Sequence, residues 1–161
     1  TGEPVDRDGR LARSGKVDEA AVARFLANPY FARPAPKSLD RDAFQGFSIE
    51  GMSAADGAAT LTAITAATVA AGLAHLPSKP ARWLVCGGGR HNPALMEALR
   101  TRLAVSVDPI EAIGWDGDFI EAQAFAYMAV RSLRGLPISF PGTTGVKQPQ
   151  TGGRLHRHPA R

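Results

Sequence analysis

Apolar positions recur along this chain with a period that changes from segment to segment, and the changes mark out its elements. Val17, Ala21, Val22, Phe25 and Leu26 fall on one face of a helix beginning near Asp18 and closed by Asn28-Pro29. Residues 29–40 (PYFARPAPKSLD) hold three prolines and predict an ordered or extended loop, and residues 41–47 allow one helical turn. Residues 53–75 form a long Ala/Thr-rich segment with Ser53 as N-cap and Asp56 in the first turn. Within it Leu61, Ile64, Thr68, Gly72 and Leu76 keep helical spacing as a narrow stripe, which predicts a buried, close-packed helix.

Pro77 and Pro80 interrupt the chain, and Arg82-Trp-Leu-Val-Cys86 is a short apolar run of the kind a buried parallel strand shows. Gly87-Gly88-Gly89 stops it. Asn92-Pro93 then opens a helix with Leu95, Leu99 and Leu103 at four-residue spacing, and residues 104–107 predict a second strand. Strand, glycine turn, helix and strand together make a crossover unit of an α/β sheet. Asp116-Gly117 is turn chemistry, and Asp118 with Glu121 has the form of a capping box for a helix reaching Leu133 and closed by Gly135. A loop with four glycines and three prolines follows Pro137, and the chain contains no internal repeat.

Charge narrows the partners. The net charge is +4, but Arg154, Arg157 and Arg161 supply three of those charges, so the body is close to neutral and lacks the built-in basic face expected of a nucleic-acid binder. With 44% hydrophobic and 21% charged residues the composition is that of an ordinary globular domain. The single cysteine, Cys86, cannot form an internal disulfide, which fits a reducing compartment. Residues 57–74 carry no charge and are long enough to prompt a membrane test. Their interleaved threonines and small residues instead predict a core helix, so no membrane partner is expected. The start, TGEPVDRDGRLARSGK, has neither Met nor a signal-peptide core, and a fragment or processed chain is expected.

The stretch CGGGRHNPALM carries the most chemistry. Three glycines after a strand remove every Cβ where the backbone turns, so a flat ring or a phosphate could approach the main chain, beside the free amides of the next helix. The spacing is neither GxGxxG nor a P-loop, and on pattern alone a plain tight turn explains it equally well. His91 reads as structural or exposed beside the helix cap. His156 and His158 have chelating spacing but lack further ligands, so no metal site is expected. Cys86 reads as an inert core thiol.

Five blocks in order, DRDGRLARSGKVDEA, NPYFARPAPKS, WLVCGGGRHNPALMEAL, IGWDGDFIEAQAFAYMA and GLPISFPGTTGV, resemble the C-terminal half of anhydro-N-acetylmuramic acid kinases and cover nearly all 161 residues. The resemblance implies an α/β fold, the C-terminal lobe of an actin-like sugar kinase, helix-rich with a small mixed sheet. Residues 1–161 would form this single lobe, with 1–52 as a loop-rich entry and 53–161 as nucleotide-binding core and tail. It implies a cytoplasmic enzyme of cell-wall recycling that uses ATP and Mg²⁺. That enzyme phosphorylates the 6-position of 1,6-anhydro-N-acetylmuramic acid while water opens the anhydro ring, giving N-acetylmuramate 6-phosphate.

By the same resemblance Gly87, Gly88 and Gly89 lie beside adenosine, with Asn92 opening the adjacent helix. Glu121, in the EAQAFA signature, either binds sugar hydroxyls or only closes the capping box with Asp118. Lys37, in APKS, either meets the lactyl carboxylate or a phosphate or is simply solvated; Leu39 and Asp40 replace the threonine and glycine that continue the family pattern. Thr144-Gly145 matches a late family pair and equally a surface turn. The phosphate loop, the carboxylate base, most of the Mg²⁺ environment and the aspartate that steers water belong to the family's N-terminal lobe, the implied partner of this one. No catalytic residue is identified in this chain, and a homodimer is compatible with the family. A second reading is a non-catalytic nucleotide-binding module or decayed half-kinase. A third is an adaptor that binds anionic partners through the HRHPAR tail.

Overall fold

Four helix starts in the computed structural model, which describes residues 2–44 and 46–156, are each satisfied by a short polar side chain that takes up free amides of the first turn. The Asp6 carboxylate accepts from the amides of Leu11 and Ala12 at 2.8 and 2.9 Å, anchoring α1 (Arg10–Ser14). Asp18 accepts from Ala21 at the start of α2 (Glu19–Leu26), and Ser53 from Asp56 at the start of α3 (Ala54–Ala71). Asn92 accepts from Ala94 and Leu95 ahead of Pro93 in α4 (Pro93–Leu103). The last cap and that at Ser53 are the ones the sequence predicts, and Asp18 stands where the sequence predicts only a helix start. Helix α1, in a stretch rich in charge and glycine, is not predicted.

The chain divides into two compact units, one formed by Thr1–Arg33 with Leu39–Asp118 and the other by Pro34–Ser38 with Phe119–Arg161. In the first, α3 is the central helix and packs against α1, α2 and α4. Its 22-residue extent through His75 is long and apolar enough to cross a bilayer, yet its small-residue face is taken up by these neighbours. The buried positions are Gly57, Ala59, Thr60, Ala63, Ile64, Ala66 and Ala67, whereas Leu61 is 43% and Leu76 42% exposed. The predicted stripe is therefore wrong in detail. Close helix approach selects the small residues for the interface and leaves the larger Leu61 at its margin. At Gly15 an added Cβ would lie 2.1 Å from the Ala55 carbonyl oxygen, so α1 ends against the main chain of α3.

The strands β1 (Arg82–Val85) and β2 (Ser106–Pro109) pair in parallel, with Trp83 opposite Val107 and Val85 opposite Pro109, and α4 makes the crossover. The observed class is thus helix-rich α/β, with a two-stranded parallel sheet among the described residues where a mixed one is expected. Ala104 is left-handed at the end of α4 (φ 51°, ψ 35°), which delays the second strand to Ser106. Ala66, Met96, Leu99, Leu103 and Val107 form the core between α3, α4 and the sheet. A second cluster joins Val22, Ala63, Ile64 and Ala67, with Phe25 and Phe47 packed against it. Strand β1 is half-buried, and Cys86 lies exposed beyond its last residue; the expected core thiol is a surface one because the strand ends one residue early.

The second unit holds α5 (Ile120–Leu133) and the short α6 (Pro141–Thr144). The predicted loop after Pro137 is tied back by a bridge between Ser139 and Gln150, and Ser132 Oγ donates to the Gly152 carbonyl at 2.5 Å. Pro36 Cγ lies 3.5 Å from where a Cβ on Gly145 would stand, so the APKS segment and the Thr144-Gly145 turn meet within this unit.

Candidate functional site

Two parallel strands that end side by side present their following loops along one edge of the sheet, and such carboxyl edges are where open α/β sheets bind ligands. Here the edge is formed by the Gly87–His91 turn after β1 and by residues 110–118 after β2. Gly87 (φ 74°, ψ 179°) occupies a backbone region that side chains essentially never adopt, so the fold itself demands glycine there. Gly89 has Leu95 Cδ2 3.1 Å from its missing Cβ. Gly88 is different. It is exposed, its φ is ordinary, and nothing lies within 4 Å of the position its Cβ would take. Neither conformation nor packing requires glycine at 88, and the bare main chain opens to solvent.

Arg90 holds this edge together. Its side chain is only 3% exposed although the turn around it is open. Nε donates to Glu111 Oε1 at 2.7 Å, and Nη1 donates to Asp118 Oδ1 at 2.8 Å and to the Gly87 carbonyl at 2.9 Å. The Gly87 amide in turn donates to the Gly117 carbonyl at 3.1 Å, and the Gly117 amide to Glu111 Oε1 at 3.1 Å. The guanidinium hydrogen bond holds Asp118 below the usual carboxylate range. Glu111 is lowered first by its own backbone amide and then by Arg90, and the Arg90 pKa is raised by Asp118 above all. His91 is exposed, with Nε2 3.8 Å from Asp118 Oδ1.

These contacts correct the expected capping box. Asp118 turns its carboxylate to Arg90, and Phe119 is the N-cap of α5 without a side-chain cap bond. A buried guanidinium gains more from the carboxylate than a helix end gains from a cap, since an unpaired buried charge is the costlier defect. Glu121 is thereby left on the exposed first turn of α5 with no capping contact.

The structure brings Gly87, Gly88, Gly89 and Asn92 together in the first unit and places Glu121 and half-buried Lys37 in the second. The Asn92 side-chain oxygen is occupied by two amides of α4, so this residue shapes the turn from the helix side. Among the described residues no three His, Cys, Asp or Glu side chains cluster as a metal site. His158 and most of the HRHPAR tail lie outside the described residues. Arg90 is the participant the sequence does not reveal, because its partners stand 21 and 28 positions away. Gly117 is the available signal: an added Cβ would come 2.4 Å from Arg90 Nε, so this glycine answers to packing rather than to turn geometry.

Comparison with known proteins agrees with the block resemblance. Residues 1–158 match the family described as anhydro-N-acetylmuramic acid kinase. Curated proteins of that name from Rhodospirillum rubrum, Acidiphilium cryptum and Rhizorhabdus wittichii are 59%, 58% and 57% identical over 152, 160 and 157 residues, covering 94%, 98% and 98% of the chain. The chain spans less than half of each relative, namely 40%, 44% and 43% of their lengths. With a match along almost its whole length and identities well above half, the chain belongs to the anhydro-N-acetylmuramic acid kinase family.

Proposed function

We propose that this chain is the C-terminal, nucleotide-binding lobe of an ATP-dependent kinase with the actin-like sugar-kinase fold. The enzyme transfers the γ-phosphoryl group of ATP to the 6-oxygen of 1,6-anhydro-N-acetylmuramic acid. Water adds at the anomeric carbon as the anhydro bridge opens, and the products are N-acetylmuramate 6-phosphate and ADP. The need for ATP as phosphoryl donor makes the enzyme a cytoplasmic one.

The Gly87–Gly89 main chain and the start of α4 form the wall against which adenosine lies. Glu121 accepts hydrogen bonds from sugar hydroxyls, and Lys37 supplies a cation for the lactyl carboxylate or a phosphate. Mg²⁺, when bound with ATP, neutralises charge on the transferred group. The phosphate loop, the acceptor base and most of the metal environment belong to an N-terminal lobe, and closure of the two lobes excludes water from the reacting groups.

The observation that carries this reading is Gly88, bare and open where the fold has no need of glycine. The Cβ of a Gly88→Trp variant meets nothing within 4 Å, and its indole would compete for the place of a purine. In the full-length protein carrying this chain, calorimetric titration should show ATP affinity reduced about tenfold or more, with an unchanged circular dichroism spectrum. Unchanged nucleotide affinity in this variant would overturn the assignment.

A further inference from the structure

We propose that Arg90 is a positioning residue for nucleotide binding: its buried guanidinium clamps the Gly87–Gly89 turn to the 110–118 loop and so fixes the shape in which the Gly88 main chain stays open. This rests on the reading of the glycine turn as the nucleotide wall.

The asymmetry of the cluster separates a clamp from an ordinary ion pair. The guanidinium is 3% exposed, while Glu111 and Asp118 are 43% and 63% exposed. The carboxylates keep access to water and could be solvated without Arg90. The Gly87 carbonyl receives both the guanidinium, at 2.9 Å, and the Arg90 amide, at 3.3 Å. On the other side of the same residue the Gly87 amide is held by the Gly117 carbonyl. One side chain thus fixes a main-chain unit whose dihedral angles only glycine adopts, and joins it to the loop following the neighbouring strand. A planar fork reaches these divergent acceptors together, which the single ammonium of lysine cannot do. At Gly117 the opposing main chain lies against the guanidinium with no room for a Cβ.

The test uses the full-length protein, with ATP affinity measured by calorimetry alongside KM for ATP, KM for the anhydro-sugar and Tm. Arg90→Met is expected to weaken ATP binding about tenfold or more while KM for the sugar stays near wild type, since misplacement of a positioning wall acts on the ligand it contacts. Arg90→Lys should recover part of the loss. Gly117→Ala, which displaces the guanidinium without removing it, should reproduce the ATP defect, and it decides the matter if Arg90→Met does not fold. ATP affinity within about twofold of wild type in the folded variants would overturn the proposal, as would a fall in kcat with KM for ATP unchanged. If Gly88→Trp abolishes ATP binding and the Arg90 and Gly117 variants do not, the clamp alone is refuted. If Gly88→Trp binds ATP normally, the nucleotide wall fails and the clamp with it.

Discussion

Substituting Gly87 by alanine separates backbone strain from steric collision, because an added Cβ would meet nothing within 4 Å. The whole cost then comes from φ 74° and ψ 179°, a conformation worth roughly 1–3 kcal/mol to any residue with a Cβ. The turn has little room to escape it: the Gly87 amide is fixed by Gly117 and its carbonyl by Arg90. For a cooperative unit of about 150–250 residues each kcal/mol lowers Tm by about 2–4 °C, so Gly87→Ala should melt about 2–12 °C below wild type. Gly88→Ala, next door, has neither strain nor neighbours and should stay within about ±0.5 kcal/mol of wild type. Differential scanning calorimetry on wild type and the two variants reads the contrast. Equal melting temperatures for wild type and Gly87→Ala, or equal losses in both variants, would refute the geometry given to the turn.

Other outcomes follow from the core and the ion pairs. Leu99, 5% exposed between α3 and the sheet, should cost about 2–5 kcal/mol when cut to alanine, read as a shift of the urea midpoint at unchanged m-value. Glu111 and Asp118 ionise below the usual range in the folded state. Their contribution is fully present above the ordinary carboxylate pKa of about 4 and is lost as pH falls through the lowered values. Urea titrations from pH 7 downward should show wild type losing stability in acid more steeply than Arg90→Met, and identical slopes would contradict the pairing.

What the sequence discloses here is local. Ser53 and Asn92 are recognisable as caps because a short polar side chain bonds to an amide two or three residues ahead, and both do so. The crossover from β1 through α4 to β2 is legible for the same reason, in Asn92-Pro93 and the leucines at 95, 99 and 103. Asp118 misleads because its local pattern is sound and a distant residue outcompetes it; nothing within ten positions announces Arg90 as its partner. Leu61 misleads because helix spacing identifies a face but not how closely the neighbours approach, and close approach favours Ala63, Ala66 and Ala67. The glycine turn is visible in the sequence as a motif, but only the folded backbone distinguishes Gly87, whose conformation requires glycine, from Gly88, whose conformation does not.

The most direct measurement is an amide spectrum of the full-length protein with labelled glycine, titrated with ADP. The largest shift changes are expected on Gly87, Gly88 and Gly89, with Gly117 following through the clamp. Shifts confined to glycines elsewhere, with these resonances unmoved at saturating nucleotide, would contradict it.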